Sequence, residues 1–178
     1  MPLIYITGPT ASGKSTVCNK LRELGYETYD TDKGGIRYWL NEKTGEPIKA
    51  FKKGEIHDKF WMNQHRLGLP KSWLEKLKAD SAGKVVFICG TSPIDHTDTG
   101  LYDKIIVLSI DEETLISRVK TRTDNNYGKN PRQLDKAVKW RQSTIDRYKQ
   151  VGAYEIDSNL PVDKIVSKIL SLTKVPEI

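Results

Sequence analysis

The stretch that most constrains this chain is Gly8-Pro9-Thr10-Ala11-Ser12-Gly13-Lys14-Ser15. Two glycines are separated by four residues and followed at once by Lys and Ser. An apolar run, Leu3-Ile4-Tyr5-Ile6-Thr7, precedes it and reads as a buried strand. Thr16 to Leu24 follows it and reads as a helix. Strand, glycine loop and helix in that order form a phosphate-binding loop. Glycine lets the backbone fold tightly round an anion, so that several N–H groups point inward. The positive end of the helix dipole lies at the same place. Lys14 would reach the β- and γ-phosphates of a nucleotide, and the Ser15 hydroxyl would ligate magnesium. Gly8 through Thr16 are therefore the expected nucleotide-binding residues.

The chain continues as alternating strand and helix patterns. Leu24-Gly25 looks like a helix C-cap, and Glu27-Thr28-Tyr29 is a short second strand ending in Asp30-Thr31-Asp32. Ligands bind at the carboxyl edge of an open parallel sheet. Two carboxylates there, at i and i+2, suit two tasks. One can hold magnesium, and the other can orient or deprotonate an attacking hydroxyl. Lys84 to Cys89 is a third strand, apolar enough for the centre of a parallel sheet, and it ends in Gly90, where a ligand could approach the backbone closely. Asp103 to Ile110 is a fourth strand. The helix after it opens on Asp111-Glu112-Glu113 and carries Arg118 and Arg122 at i and i+4, hence on one face. Leu134 to Val151 is a long helix, Tyr154 to Ile156 a fifth strand, and Val162 to Leu172 an amphipathic closing helix.

Two segments interrupt this pattern. Residues 34–83 hold three of the four tryptophans and read as a helical flap over the sheet edge, with helices at Ile56–Arg66 and Ser72–Ala79. Arg37, Trp39, His65 and Arg66 are its candidates for binding a substrate, with Gly90 beside them. Residues 121–132 are polar, with Arg122, Lys129 and Arg132 at the margins, and read as a lid able to bring positive charge to phosphates. Ile94 to Asp98 is a polar turn that could also touch substrate.

Composition sets the bounds. At 178 residues the chain suits one domain with a single core. No apolar run approaches the roughly 20 residues of a membrane helix, and no leader peptide is visible before the first strand. Cys18 and Cys89 sit in apolar segments with no metal spacing, as small buried thiols would, which makes the cytoplasm the default location. The net charge of +6 suits either nucleic acid or a small polyanion such as a nucleoside triphosphate. The basic residues are scattered and no nucleic-acid-binding signature occurs, so a small molecule is favoured over nucleic acid as substrate.

With the phosphate loop, the Asp30-Thr31-Asp32 pair, Gly90, Arg118 and Arg122, and the strand end at Ile156-Asp157, the chain resembles the P-loop small-molecule kinases of the nucleoside monophosphate kinase and shikimate kinase group. Trp39 with Lys43 to Pro47, and Tyr127-Gly128, also resemble a group of bacterial kinase-like ATP-binding proteins. The resemblance implies a three-layer α/β P-loop NTPase fold with a five-stranded parallel sheet in the order 2-3-1-4-5. It implies ATP and Mg²⁺, with Lys14 and Ser15 serving the phosphates and the metal. Asp30 would assist magnesium and Asp32 would contact the acceptor. Arg118 would stack near adenine, Arg122 would reach the phosphates, and the loop from Asp157 to Pro161 would border the base. The chain departs from these families after the third strand and throughout residues 34–83, where the acceptor would bind. A nucleoside or nucleotide acceptor comes first. A shikimate-like or sugar-acid acceptor, a nucleic-acid 5′-end kinase and a regulatory ATP-binding module remain as alternatives, in a protein expected to be a monomer or homodimer.

Overall fold

The computed structural model describes residues 2–33, 36–41, 43–48, 64–80, 83–91, 99–123 and 126–174. Residues 56–63 of the helix expected over Ile56–Arg66, the turn at 94–98 and the chain end after 174 lie outside them.

Five strands form a parallel sheet: β1 (Leu3–Thr7), β2 (Glu27–Asp30), β5 (Val86–Cys89), β6 (Lys104–Ser109) and β7 (Tyr154–Asp157). Their spatial order is β2-β5-β1-β6-β7. Counting only these five, the order is 2-3-1-4-5, as the family resemblance implies. The intervening labels belong to a separate antiparallel ribbon, β3 (Tyr38–Asn41) and β4 (His65–Gly68). The helices are α1 (Lys14–Glu23), α2 (Lys71–Asp80), α3 (Glu112–Thr121), α4 (Pro131–Gln150) and α5 (Val162–Thr173).

β1 is apolar along its whole length because both of its faces are covered, and all five residues are buried. The pleat sends alternate side chains to opposite faces. Ile4 and Ile6 join Phe87, Val17 and Leu21 of α1, and Ile165, Val166 and Ile169 of α5. Leu3 and Tyr5 join Val86 and Ile88 on the other face, with Leu74 of α2 and Ile145 and Tyr148 of α4. Three layers result. α3 packs on α4 through Leu115, Val119 and Ala137. The Tyr5 ring stacks on Tyr102 with centroids 4.9 Å apart. Its hydroxyl donates to the Gly90 carbonyl at 3.1 Å, satisfying the one polar atom this buried ring carries.

The parallel register brings the carboxyl ends together. Ile6 pairs with Cys89, Asp30 with Cys89, and Ser109 with Asp157. The loops after β1, β2 and β5 therefore meet at one edge.

Local signals explain most boundaries. α1 ends where Gly25 takes a φ of +87°, which a glycine accepts without strain. Asp111 caps α3 by accepting from the Thr114 amide at 2.7 Å. Three expectations need correction. The flap is not wholly helical, because His65 and Arg66 lie in β4, paired with Asn41 and Leu40. Helical periodicity there yields to a backbone ladder, pinned by the turn in which the Asn41 side chain accepts from the Lys43 and Thr44 amides at 2.9 and 3.2 Å. The long helix starts at Pro131 rather than Leu134, since Asn130 is its N-cap and Pro131 fits the first turn. Arg132 thus sits inside a helix rather than at a loop margin. Arg122 is not on the helical face with Arg118: it is the C-cap of α3, with extended backbone (φ −63°, ψ 145°).

Leu21 fastens the helix behind the glycine loop to the sheet and is fully buried. Leu21→Ala is expected to lower the unfolding free energy by about 2–5 kcal/mol, read as a lower midpoint in urea denaturation with the slope unchanged.

Candidate active site

The glycine loop is shaped by close packing. A Cβ at Gly8 would lie 2.5 Å from the Leu108 carbonyl oxygen and 2.7 Å from Ser12 Oγ, so only glycine fits. Gly13, with φ +84°, turns the chain into α1. Ala11, with φ +60°, holds a left-handed conformation that alanine rarely adopts, and the surrounding loop must impose it. Lys14 is buried, and its Nζ donates to the Gly8 and Pro9 carbonyls at 3.1 and 2.9 Å. Burial pushes the Lys14 pKa below its ordinary value and Arg122 adds to that, while Asp32 and Asp30 pull it back up.

The carboxylate pair forms a compact turn. The Asp32 amide donates to Asp30 Oδ1 at 3.1 Å. Asp32 Oδ1 accepts from Arg37 at 2.7 Å and from the Thr91 amide at 3.2 Å. Gly90 makes this seat possible. A Cβ there would lie 1.9 Å from Thr31 Oγ1, and Thr31 in turn donates through its amide to the Cys89 carbonyl at 2.8 Å. Gly90 therefore does not line the cleft; it lets the turn bearing Asp32 pack against the end of β5.

These parts border one cleft of about 1010 Å³. All of Gly8 to Thr16 lines it, with Asp32, Arg37, Arg118 and Arg122. Five basic side chains face it against one carboxylate, since Lys33 adds to Lys14 and the three arginines. That balance suits a polyphosphate. Arg118 ties two loops together, donating to the Ala11 carbonyl at 3.2 Å and the Ser158 carbonyl at 2.8 Å. Arg122 donates to the Tyr127 carbonyl.

Other expected residues lie elsewhere. Arg132 is exposed in the first turn of α4, away from the cleft wall. Trp39, His65 and Arg66 belong to the ribbon and do not line the cleft. Asp157 accepts from the Asn159 amide at 2.9 Å, and Pro161 precedes α5; the wall at that loop is made by Ser158 and Leu160 instead. Asp30 borders a smaller neighbouring hollow with Asn19 and Arg22. Sequence reasoning passed over Lys33, Thr91, Trp140 and Thr144. The available signal was in α4: Ala137, Trp140 and Thr144 are spaced by three and four, which puts them on one helix face.

A family model described as an AAA domain matches residues 4–139. The chain belongs to the AAA domain family. The chain is similar to the dephospho-CoA kinase of Fusobacterium nucleatum, at 29% identity covering 94% of each chain. Its fold is similar to shikimate kinase from Bacteroides thetaiotaomicron, with a TM-score of 0.64, 15% identity and coverage of 98% of this chain and 99% of that one. It is also similar to deoxyadenosine kinase from M. mycoides with bound dATP, with a TM-score of 0.54, 18% identity and coverage of 97% and 99%. The fold is that of P-loop small-molecule kinases, and the glycine loop lines the cleft along its whole length. Among the described residues, no helix is long and apolar enough to cross a membrane.

Only a protonated Lys14 attracts phosphate, and its folded pKa lies below that of a solvated lysine. Nucleotide affinity is therefore expected to fall as pH rises through that lowered pKa, before the roughly 10.4 of a free lysine is reached. Calorimetric titration with a non-hydrolysable ATP analogue across the alkaline range measures this. Lys14→Arg, whose guanidinium stays charged, should flatten the dependence.

Proposed function

We propose that the protein is an ATP- and Mg²⁺-dependent kinase that phosphorylates a hydroxyl of a small nucleotide-type acceptor. The observation that carries this is the seating of Asp32 in the same cleft as Lys14, paired with Arg37, with Arg118 and Arg122 also lining it. Nucleotide binding alone needs the phosphate loop; a carboxylate held in that cleft by Arg37 and the Thr91 amide supplies what transfer needs in addition.

In this reading the acceptor hydroxyl attacks the γ-phosphorus in line. A new P–O bond forms to the acceptor, the bond to the β–γ bridging oxygen breaks, and ADP leaves. Asp32 orients the hydroxyl and takes its proton. Arg37 and the Thr91 amide keep that carboxylate aimed into the cleft. Lys14, Arg118 and Arg122 offset the negative charge of the phosphates. Buried Lys14 exchanges its loop-carbonyl partners for phosphate oxygens. The expected contribution of Arg132 is not supported by its position on the exposed side of α4.

The residues present fit a magnesium ion. Asp30 Oδ2 is buried without a hydrogen-bond partner among the described residues, and the Ser15 hydroxyl lines the cleft. No group of three or more His, Cys, Asp or Glu able to hold a metal occurs among the described residues. That suits magnesium, which takes one or two protein oxygens and completes its shell with phosphates and water. When bound it would neutralise phosphate charge; Ser15 and Asp30 are the residues that would hold it.

The nucleotide character of the acceptor is supported by the dephospho-CoA kinase of F. nucleatum, which aligns over nearly all of both chains. The free thiols of Cys18 and Cys89, both buried, suit a reducing cytoplasm.

ADP release measured across dephospho-CoA, nucleosides, nucleoside monophosphates, shikimate, gluconate and a short oligonucleotide tests the reading. Turnover dependent on a nucleotide-type acceptor is expected. Lys14→Ala should lower kcat by about 10²–10³ and Asp32→Asn by about 10²–10⁴, each with an unchanged circular dichroism spectrum. ATP consumption indifferent to every acceptor, or an Asp32→Asn enzyme as fast as wild type, rules it out.

A further inference from the structure

The cleft passes from one face of the sheet to the other, and its two ends differ in chemistry. One end lies over α1 and α5. It is walled by Arg118, Ser158, Leu160, Val162 and Ile165, and Ile165 belongs to the core cluster on that face. The other end lies against α4, whose Trp140 and Thr144 line it. There Asp32 and Arg37 face the cleft, and Ile36, next to Arg37, packs on the opposite core cluster with Ile145 and Tyr148 of α4. The phosphate loop sits between the two ends.

The second end carries a feature that nothing above accounts for. Trp140 is 58% exposed, yet it lines this strongly basic cleft. It stands on the same face of α4 as Thr144, and Tyr127, 39% exposed, lines the cleft with them. Lys136, one turn earlier, lies with its Nζ 5.9 Å from the centre of the Trp140 ring, a cation–π contact that steadies the indole while leaving much of it open. Trp140 has no part in the core clusters, so its bulk is not explained by stability.

A large, exposed, planar apolar ring beside a charged phosphate site matches one class of molecule. A nucleotide presents phosphate at one end and a flat aromatic base at the other. Sugar acids and shikimate have no aromatic ring to stack. We infer that Trp140, flanked by Tyr127, is the platform on which the acceptor's base stacks, so that the enzyme selects acceptors carrying a purine or pyrimidine. Thr144, one turn on, offers a hydroxyl to the same group. This rests on the kinase reading of the cleft for its acceptor end, but not for the stacking itself. Trp39 of the flap, a candidate for binding a substrate, does not line the cleft.

The test has two arms. First, intrinsic fluorescence is titrated with AMP while the donor site is filled by a non-hydrolysable ATP analogue. Wild type is expected to quench and Trp140→Phe is expected to lose that change, since Trp39, Trp61 and Trp73 remain in both. Second, Trp140→Ala is expected to raise KM for dephospho-CoA by about 5- to 100-fold, the usual effect of removing one base-stacking ring, with the loss in KM rather than in kcat. Trp140→Phe should recover most of it. Equal quenching in wild type and Trp140→Phe, or an unchanged KM in Trp140→Ala, overturns the inference while ATP turnover leaves the kinase reading intact. Quenching of Trp140 by the ATP analogue alone overturns it too, because the donor base would then occupy this end. Absence of any acceptor-dependent turnover would instead sink the kinase reading, and the AMP titration would still decide the stacking.

Discussion

The Lys14 ammonium is buried, and an unpaired ammonium in a protein interior costs several kcal/mol even after relaxation. Most of the site can be understood as the answer to that cost. Two loop carbonyls, of Gly8 and Pro9, take its protons, which requires the loop to curl back on itself. The curl requires Gly8 against Leu108 and a left-handed Gly13 at the helix start. Asp32 and Asp30 supply compensating charge from the end of β2. They reach Lys14 because β2, β5 and β1 run parallel in register, so their carboxyl ends share one edge. The arrangement leaves an ammonium whose protein partners are weak neutral carbonyls, ready to be exchanged for phosphate oxygens.

Asp32 depends on a second constraint of the same kind. Its carboxylate is aimed by the Thr91 amide and Arg37, and the turn that bears it packs where Gly90 has no side chain. A single methyl group at that position would drive into Thr31 and unseat the carboxylate. Gly90 thus acts on the chemistry through packing rather than through contact with a ligand.

The sheet was readable from the chain because its signals are local. Three apolar runs mark β1, β5 and β6, the short β2 and β7 lie between helix patterns, and each of the five is closed by glycine or an acidic turn. The spatial order came from family resemblance, since nothing in periodicity says which strands pair. The ribbon was missed for a related reason. Tyr38–Asn41 and His65–Gly68 are four residues each and far apart in sequence, and their pairing is a long-range fact with no local mark. At the site, Lys14, Ser15, Asp32, Arg118 and Arg122 were legible because motif and position name them. Trp140 was not. In α4 its spacing marks a face, but which face meets a cleft depends on how Ile145 and Tyr148 dock on the sheet. Arg132, at the first turn of the helix, is exposed and does not line the cleft.

The central claim is that donor and acceptor meet across Lys14 and Asp32 for transfer of a phosphoryl group, and not for hydrolysis. Phosphorus NMR of equimolar ATP and dephospho-CoA with the wild-type enzyme observes this directly. The account predicts that a new phosphomonoester resonance grows in step with ADP while inorganic phosphate stays at background. Growth of inorganic phosphate alone, at the same rate with and without the acceptor, would contradict it.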